Sequence, residues 1–162
     1  MTLANSGFKI TGMMIDHSVL SKYSLFDGLE EEQIKTILAL MENKVYEAGE
    51  DIIIEGEHND RIHFILEGRE SVIKDGVKLM ELGAGDIFGE MEVLEVLPVE
   101  ATIRTITPTK LVTLSIDALG EIYTSDLKTY SFILMNLARD IARKLRRLND
   151  RVIKESPPVE WS

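Results

Sequence analysis

The feature that most constrains the fold is the stretch 44–115. There, short runs rich in Val, Ile and Thr are broken by glycine-bearing turns at intervals of roughly 8–12 residues. The breaks fall at 48–50, 55–60, 67–68, 75–76 and 83–86. Asp75-Gly76 between two apolar-bearing runs is a type I′ hairpin signal, because both central residues of that turn need positive φ. Many short antiparallel strands joined by regular turns predict a mainly β unit, a small barrel or sandwich.

Helical patterns flank the strands. Leu29, Ile34, Ile37, Leu38 and Met41 recur at helical spacing, with Glu30, Glu31 and Glu32 in the first turn, where the helix dipole favours acids. A short helix is expected over 117–123 and a long one over 130–155. On the long helix Leu134, Leu137, Ile141, Leu145, Leu148 and Val152 form an apolar seam with charges elsewhere. Its first half is expected on the barrel and its second half on a copy of itself, giving a symmetric homodimer. The domain reading is an N-terminal arm over 1–23 that lacks sustained periodicity and is loosely attached. A barrel with its N-terminal helix follows over 24–128, then a C-terminal lid and dimerisation helix over 129–155, and a tail over 156–162.

Charge is unevenly spread. Residues 1–138 carry 11 Lys and Arg against 24 Asp and Glu, whereas 139–162 carry 7 against 4. An acidic body with a basic terminal helix repels nucleic acid over most of its surface, which confines any polyanion contact to that helix. There is no cysteine, so neither a disulfide framework nor a thiolate metal site is available. No stretch approaches the roughly 20 apolar residues of a membrane span, and no secretory leader pattern opens the chain. A cytoplasmic protein is expected.

Within the strand region, the segment GAGDIFGE at 83–90 sets glycines before an expected short helix over 90–97 that Pro98 closes. Glycine there lets a ligand approach backbone N–H groups, an anion site in principle, although such a turn is also an ordinary connection. The wider order of segments resembles the cyclic-nucleotide-binding domain family, as found in catabolite-activator-type regulators and protein kinase A regulatory subunits. The matching pieces are SLFDGLEEEQI, YEAGEDIIIEGEHND, FILEG, DGVKLMELGAGDIFGEM, ATIR and NLARDIARKLRRLND, covering about 24–150. The resemblance implies an eight-stranded jelly roll, a short helix facing the cyclic phosphate, and a C-terminal helix serving as lid and dimer element. Phe88, Gly89, Glu90, Met91, Pro98, Ala101 and Thr102 fit the family's cassette. By resemblance Glu90 accepts the ribose 2′-hydroxyl, and Gly89 and Met91 donate backbone N–H groups.

Departures fall at the chemistry itself. Val99 stands where the family has its phosphate-binding arginine. Charge-assisted hydrogen bonds contribute about 1.5–3 kcal/mol, so this change alone removes roughly one to two decades of phosphate affinity. Glu100 replaces a small residue beside the phosphate, Glu92 replaces an alanine, and Glu70 replaces an inward-facing valine on the same strand face as Val72. If Glu70, Glu90, Glu92 and Glu100 converge, the pocket is acidic and disfavours a nucleotide. Otherwise Glu92 and Glu100 point to water, and Glu70 is satisfied by Arg61, Arg69 or Arg104. A lysine or arginine supplied from the long helix or a second subunit could replace the missing cation.

His17, His58 and His63 have no metal-ligand spacing, and no P-loop, nucleophile elbow or zinc-protease motif occurs, so no metal, no required cofactor and no catalytic residue is expected. The helix-turn-helix that follows the long helix in related transcription factors has no room before the last residue, so direct DNA binding is not expected. The expectation is a non-catalytic regulatory module that acts through an unidentified effector protein. Cyclic nucleotide (cAMP or cGMP) is a doubtful ligand. The competing readings are a working cyclic-nucleotide receptor with a recruited cation and a purely structural dimerisation domain.

Overall fold

The computed structural model describes residues 8–10, 13–15 and 17–159. Strand β1 (Phe8–Ile10) pairs antiparallel with β2 (Met13–Ile15), and helix α1 (His17–Leu20) leads to a 3-10 turn at Ser24–Phe26 and to helix α2 (Glu31–Leu40). Eight strands follow: β3 (Glu42–Tyr46), β4 (Asp51–Ile53), β5 (Arg61–Glu67), β6 (Arg69–Lys74), β7 (Val77–Gly83), β8 (Ile87–Phe88), β9 (Thr102–Thr105) and β10 (Thr109–Ser115). Helix α3 (Glu90–Glu95) interrupts them after β8, and α4 (Ile116–Ser125) and α5 (Leu127–Glu155) close the chain. No helix of the described residues is long and apolar enough to cross a membrane.

The eight strands form two antiparallel four-stranded sheets, in the orders β3-β10-β5-β8 and β4-β9-β6-β7. This is the expected jelly roll, with its interior filled by Ile65, Leu82, Phe88, Ile103 and Leu111. The β6–β7 hairpin turns at Asp75 (φ 49°) and Gly76 (φ 75°), the positive-φ pair that the Asp-Gly sequence requires. A second core lies between the helices and β5 and β10. There Phe64 meets Tyr23 edge-on at 5.5 Å and stacks on Phe26 at 5.4 Å. Full burial of such a ring contributes about 1.5–3 kcal/mol.

The arm over 1–23 is not loose in its described part. Ile15, Leu20 and Tyr23 are fully or almost fully buried in that second core, and Tyr23 Oη donates to the Ile65 carbonyl at 2.5 Å. Elements of three or four residues are too short to show a period, which is why no pattern announces them. Residues 1–7 lie outside the described residues.

Helix α5 starts at Leu127, three residues before the expected 130, because the Asp126 side chain accepts the Thr129 N–H at 3.0 Å and caps it. Its seam behaves in two halves. Leu137 is buried and Leu134 and Ile141 partly so, whereas Leu145, Leu148 and Val152 are about half exposed or more. Buried Asn136 pins the first half, its Nδ2 donating to the carbonyls of Leu25 at 3.0 Å and Asp27 at 2.8 Å. The second half crosses the barrel mouth, where Arg151 Nη1 donates to the Leu79 carbonyl at 3.2 Å.

Candidate ligand-binding site

Strand β8 delivers Phe88 and Gly89 to the barrel mouth, and their local geometry follows from close packing. Gly89 adopts φ 81° as it leads into α3, and a Cβ there would stand 2.5 Å from the Arg61 carbonyl oxygen and 2.6 Å from Asn59 Nδ2. Only glycine fits. Asn59 Nδ2 donates to the carbonyls of Arg61 at 2.7 Å and Gly89 at 3.2 Å, and its Oδ1 lies 3.1 Å from His63 Nε2. The His63 ring stacks on Phe88 at 4.6 Å, nearly parallel. Burial, with Arg61 and Lys44 nearby, pushes the His63 pKa down to about 3, so the imidazole is neutral and structural. As expected from its isolation in the sequence, it is a strand residue.

Glu90 opens α3 and is almost completely buried. Its carboxylate is not left unpaired: Lys144 of α5 forms an ion pair with it, donates to the Ile87 carbonyl at 2.8 Å, and lies 3.2 Å from Asp140. A cation from the long helix therefore does enter the cassette, yet it meets Glu90, the acid that resemblance assigns to the ribose. Met91 is exposed.

Glu92 is half-buried. Burial raises its pKa, the backbone N–H groups of Glu92 and Glu100 lower it, and the carboxylates of Glu90 and Glu100 raise it again. The Glu92 carboxyl thus feels its own backbone N–H and that of Glu100. Helix α3 ends two residues short of the expected 97, because Val96 takes a left-handed conformation at φ 55°, an outlier for a β-branched residue, and donates to the Glu92 carbonyl at 2.8 Å.

Val99 is buried at 2% exposure, its backbone fastened to the 55–57 turn by Val99 N–H to the Glu57 carbonyl at 2.9 Å and Gly56 N–H to the Val99 carbonyl at 2.8 Å. The Glu100 residue is exposed, its carbonyl accepting from Lys74 Nζ at 3.0 Å. Ala101 and Thr102 are half-buried, and Thr102 Oγ1 accepts the Glu55 N–H at 3.0 Å. Glu90, Glu92 and Glu100 are electrostatic neighbours. Glu70 is not one of them.

Glu70 is fully buried and shares its strand face with half-buried Val72, as alternation requires. None of Arg61, Arg69 and Arg104 reaches it: they pair with Glu42, Glu81 and Asp51. Its Oε1 accepts from Thr109 Oγ1 at 3.0 Å, and its Oε2 has no hydrogen-bond partner. Burial raises its pKa to about 7, against the hydrogen bond from Thr109 and with help from Asp86. No group of three or more His, Cys, Asp or Glu among the described residues could hold a metal ion.

The sequence matches the family model described as the cyclic nucleotide-binding domain over residues 43–126. This chain belongs to that family. It is 31% identical over 82% of its length to a cAMP-dependent protein kinase regulatory subunit of Yarrowia lipolytica, covering 32% of that protein. It is 28% identical over 83% of its length to a CRP-like cAMP-activated global transcriptional regulator of Mycobacterium tuberculosis, covering 60% of it. A match of 31% over 82% of the chain to Glutaminase 2 of Bradyrhizobium diazoefficiens covers only 21% of that enzyme. The chain thus spans from about a fifth to three fifths of these relatives. Among solved structures, a cyclic nucleotide-binding domain from Methylobacillus flagellatus superposes with a TM-score of 0.80 at 25% identity, over 89% of this chain and 84% of that one.

Proposed function

We propose that this chain is a non-catalytic, cytoplasmic regulatory module whose cyclic-nucleotide site is weakened for the cyclic phosphate and whose output passes to an effector protein. One observation carries the reading: Val99 is buried at the position of the family's arginine, while the cation that does reach the cassette, Lys144, is committed to Glu90, the Ile87 carbonyl and Asp140. A nucleotide would have to displace Lys144 to reach Glu90 and would bring its phosphate toward the neighbouring carboxyls of Glu92 and Glu100. The exposed second half of the α5 seam, Leu145, Leu148 and Val152, supports a symmetric homodimer through that helix.

A second reading, a working cAMP or cGMP receptor, is favoured by Lys144 itself, since a lysine already at the cassette could turn from Glu90 to a bound phosphate. Calorimetric titration of the dimer with cAMP and cGMP separates the two. The weakened site gives little or no heat with the native chain and a gain of about one to two decades in affinity for Val99→Arg combined with Glu92→Ala. Tight binding by the native chain, lost in Lys144→Met, would establish the receptor reading instead.

A further inference from the structure

Outside the barrel, a cleft of about 220 Å³ lies between α5, the 3-10 turn and the β7–β8 turn, and its wall includes Lys22, Asp86, Asp140, Arg143, Lys144 and Arg147. Residues 140, 143, 144 and 147 fall three or four apart, so one face of α5 presents all of them to the cleft. Four cations and two acids make this concavity net positive on a chain of net charge -10. The acids face their own partners, although Asp140 Oδ2 is buried with an ion pair and no hydrogen bond. Asp86 Oδ2 accepts the Gly83 N–H at 2.9 Å, and Asp140 lies 3.6 Å from Arg143 and 3.2 Å from Lys144.

The cations are not all so engaged. Arg143 uses one guanidinium nitrogen on Ser24 Oγ at 2.6 Å, leaving other donors of its fork. Lys22 and Arg147 are exposed and have no side-chain hydrogen bond or ion pair among the described residues, although both line the cleft. Convergent, uncommitted donors in a concavity are arranged for an anion, and guanidinium forks match phosphate oxygens in pairs. The volume lies below the roughly 300 Å³ at which drug-sized ligand pockets begin, which suits a small anion.

We infer that this cleft is a binding site for a small phosphate dianion, separate from the nucleotide cassette and sharing with it only Lys144. Its recognition rests on Lys22, Arg143 and Arg147. The inference does not depend on the weakened-cassette reading, and a Val99→Arg substitution leaves it untouched.

The test is titration of the full chain with inorganic phosphate at constant ionic strength, followed by amide chemical shifts of residues 22–24, 85–87 and 140–147. Saturable shifts confined to those residues are expected, weakened about tenfold or more by Arg147→Glu and by Lys22→Glu. Arg146→Glu, the same charge change on a residue outside the cleft, should leave the affinity unchanged. Lys22 and Arg147 are exposed and have no side-chain partner among the described residues, so their variants keep the fold, checked by circular dichroism. Absence of saturation by millimolar phosphate, or an equal loss in Arg146→Glu, overturns the site.

Discussion

Glu90 and Glu70 are both glutamates buried at the barrel, and the fold treats them in opposite ways. Glu90 at its mouth has a lysine from α5 as a partner, whereas Glu70 has one threonine hydroxyl and an oxygen with nothing to accept. Burying a carboxylate costs several kcal/mol unless a cation or donors offset it, and otherwise the group takes up a proton. Glu90 is held through an ion pair that ties α5 to the cassette. Glu70 instead titrates near neutrality, at about 7. The difference lies in what the rest of the chain brings alongside, not in the residue type or the depth.

Removing the lysine should have the largest effect. Lys144→Met leaves Glu90 buried without its cation and is expected to destabilise the fold by about 2–4 kcal/mol in urea denaturation. Adding Glu90→Gln to it should recover much of that loss. A cost near zero for Lys144→Met would erase the contrast between the two glutamates.

Glu70→Gln should act with the opposite sign. The folded-state pKa is raised above the unfolded value, so stability is full below about pH 4.5 and declines as pH rises to about 7. The variant is therefore expected to gain about 1–2 kcal/mol at pH 8 and almost nothing at pH 4.5. Melting temperatures at the two pH values measure this, and a gain independent of pH would point to packing instead.

Thr109→Val, which removes the hydroxyl facing Glu70 Oε1, should cost about 1 kcal/mol at pH 8 and shift the midpoint of the stability decline to higher pH. Asp140→Asn should cost least, about 0.5 kcal/mol, because Lys144 retains Glu90 and the Ile87 carbonyl. A loss as large as that of Lys144→Met would make Asp140, not Glu90, the main partner of the lysine.

Local chemistry made much of the fold legible. Asp75-Gly76 specified its turn, the Val, Ile and Thr runs specified strands, and the spacing of Leu134 to Val152 separated a buried half-seam from an exposed one. The unusual residues of the site were legible for the same reason, since Val99 and Glu70 break a local pattern that the flanking segments keep. Their partners were not. Lys144 is 54 positions from Glu90, and Thr109 is 39 from Glu70, so each pairing depends on how α5 crosses the mouth or how β10 approaches β6. The core positions Ile15 and Leu20 stayed hidden because elements that short have no period to read.

The Asn136 anchor makes α5 a lever. Its fulcrum is the pair of hydrogen bonds from the side-chain amide to the Leu25 and Asp27 carbonyls, and beyond it the arm runs to Glu155, roughly 28 Å at 1.5 Å per residue. A tilt of only 10° about that point sweeps the tip through roughly 5 Å, about one helical pitch. Lys144 and Arg151 tie that arm to the barrel mouth, so such a tilt requires their contacts to give, and whatever loosens them would be felt most at the end of the helix.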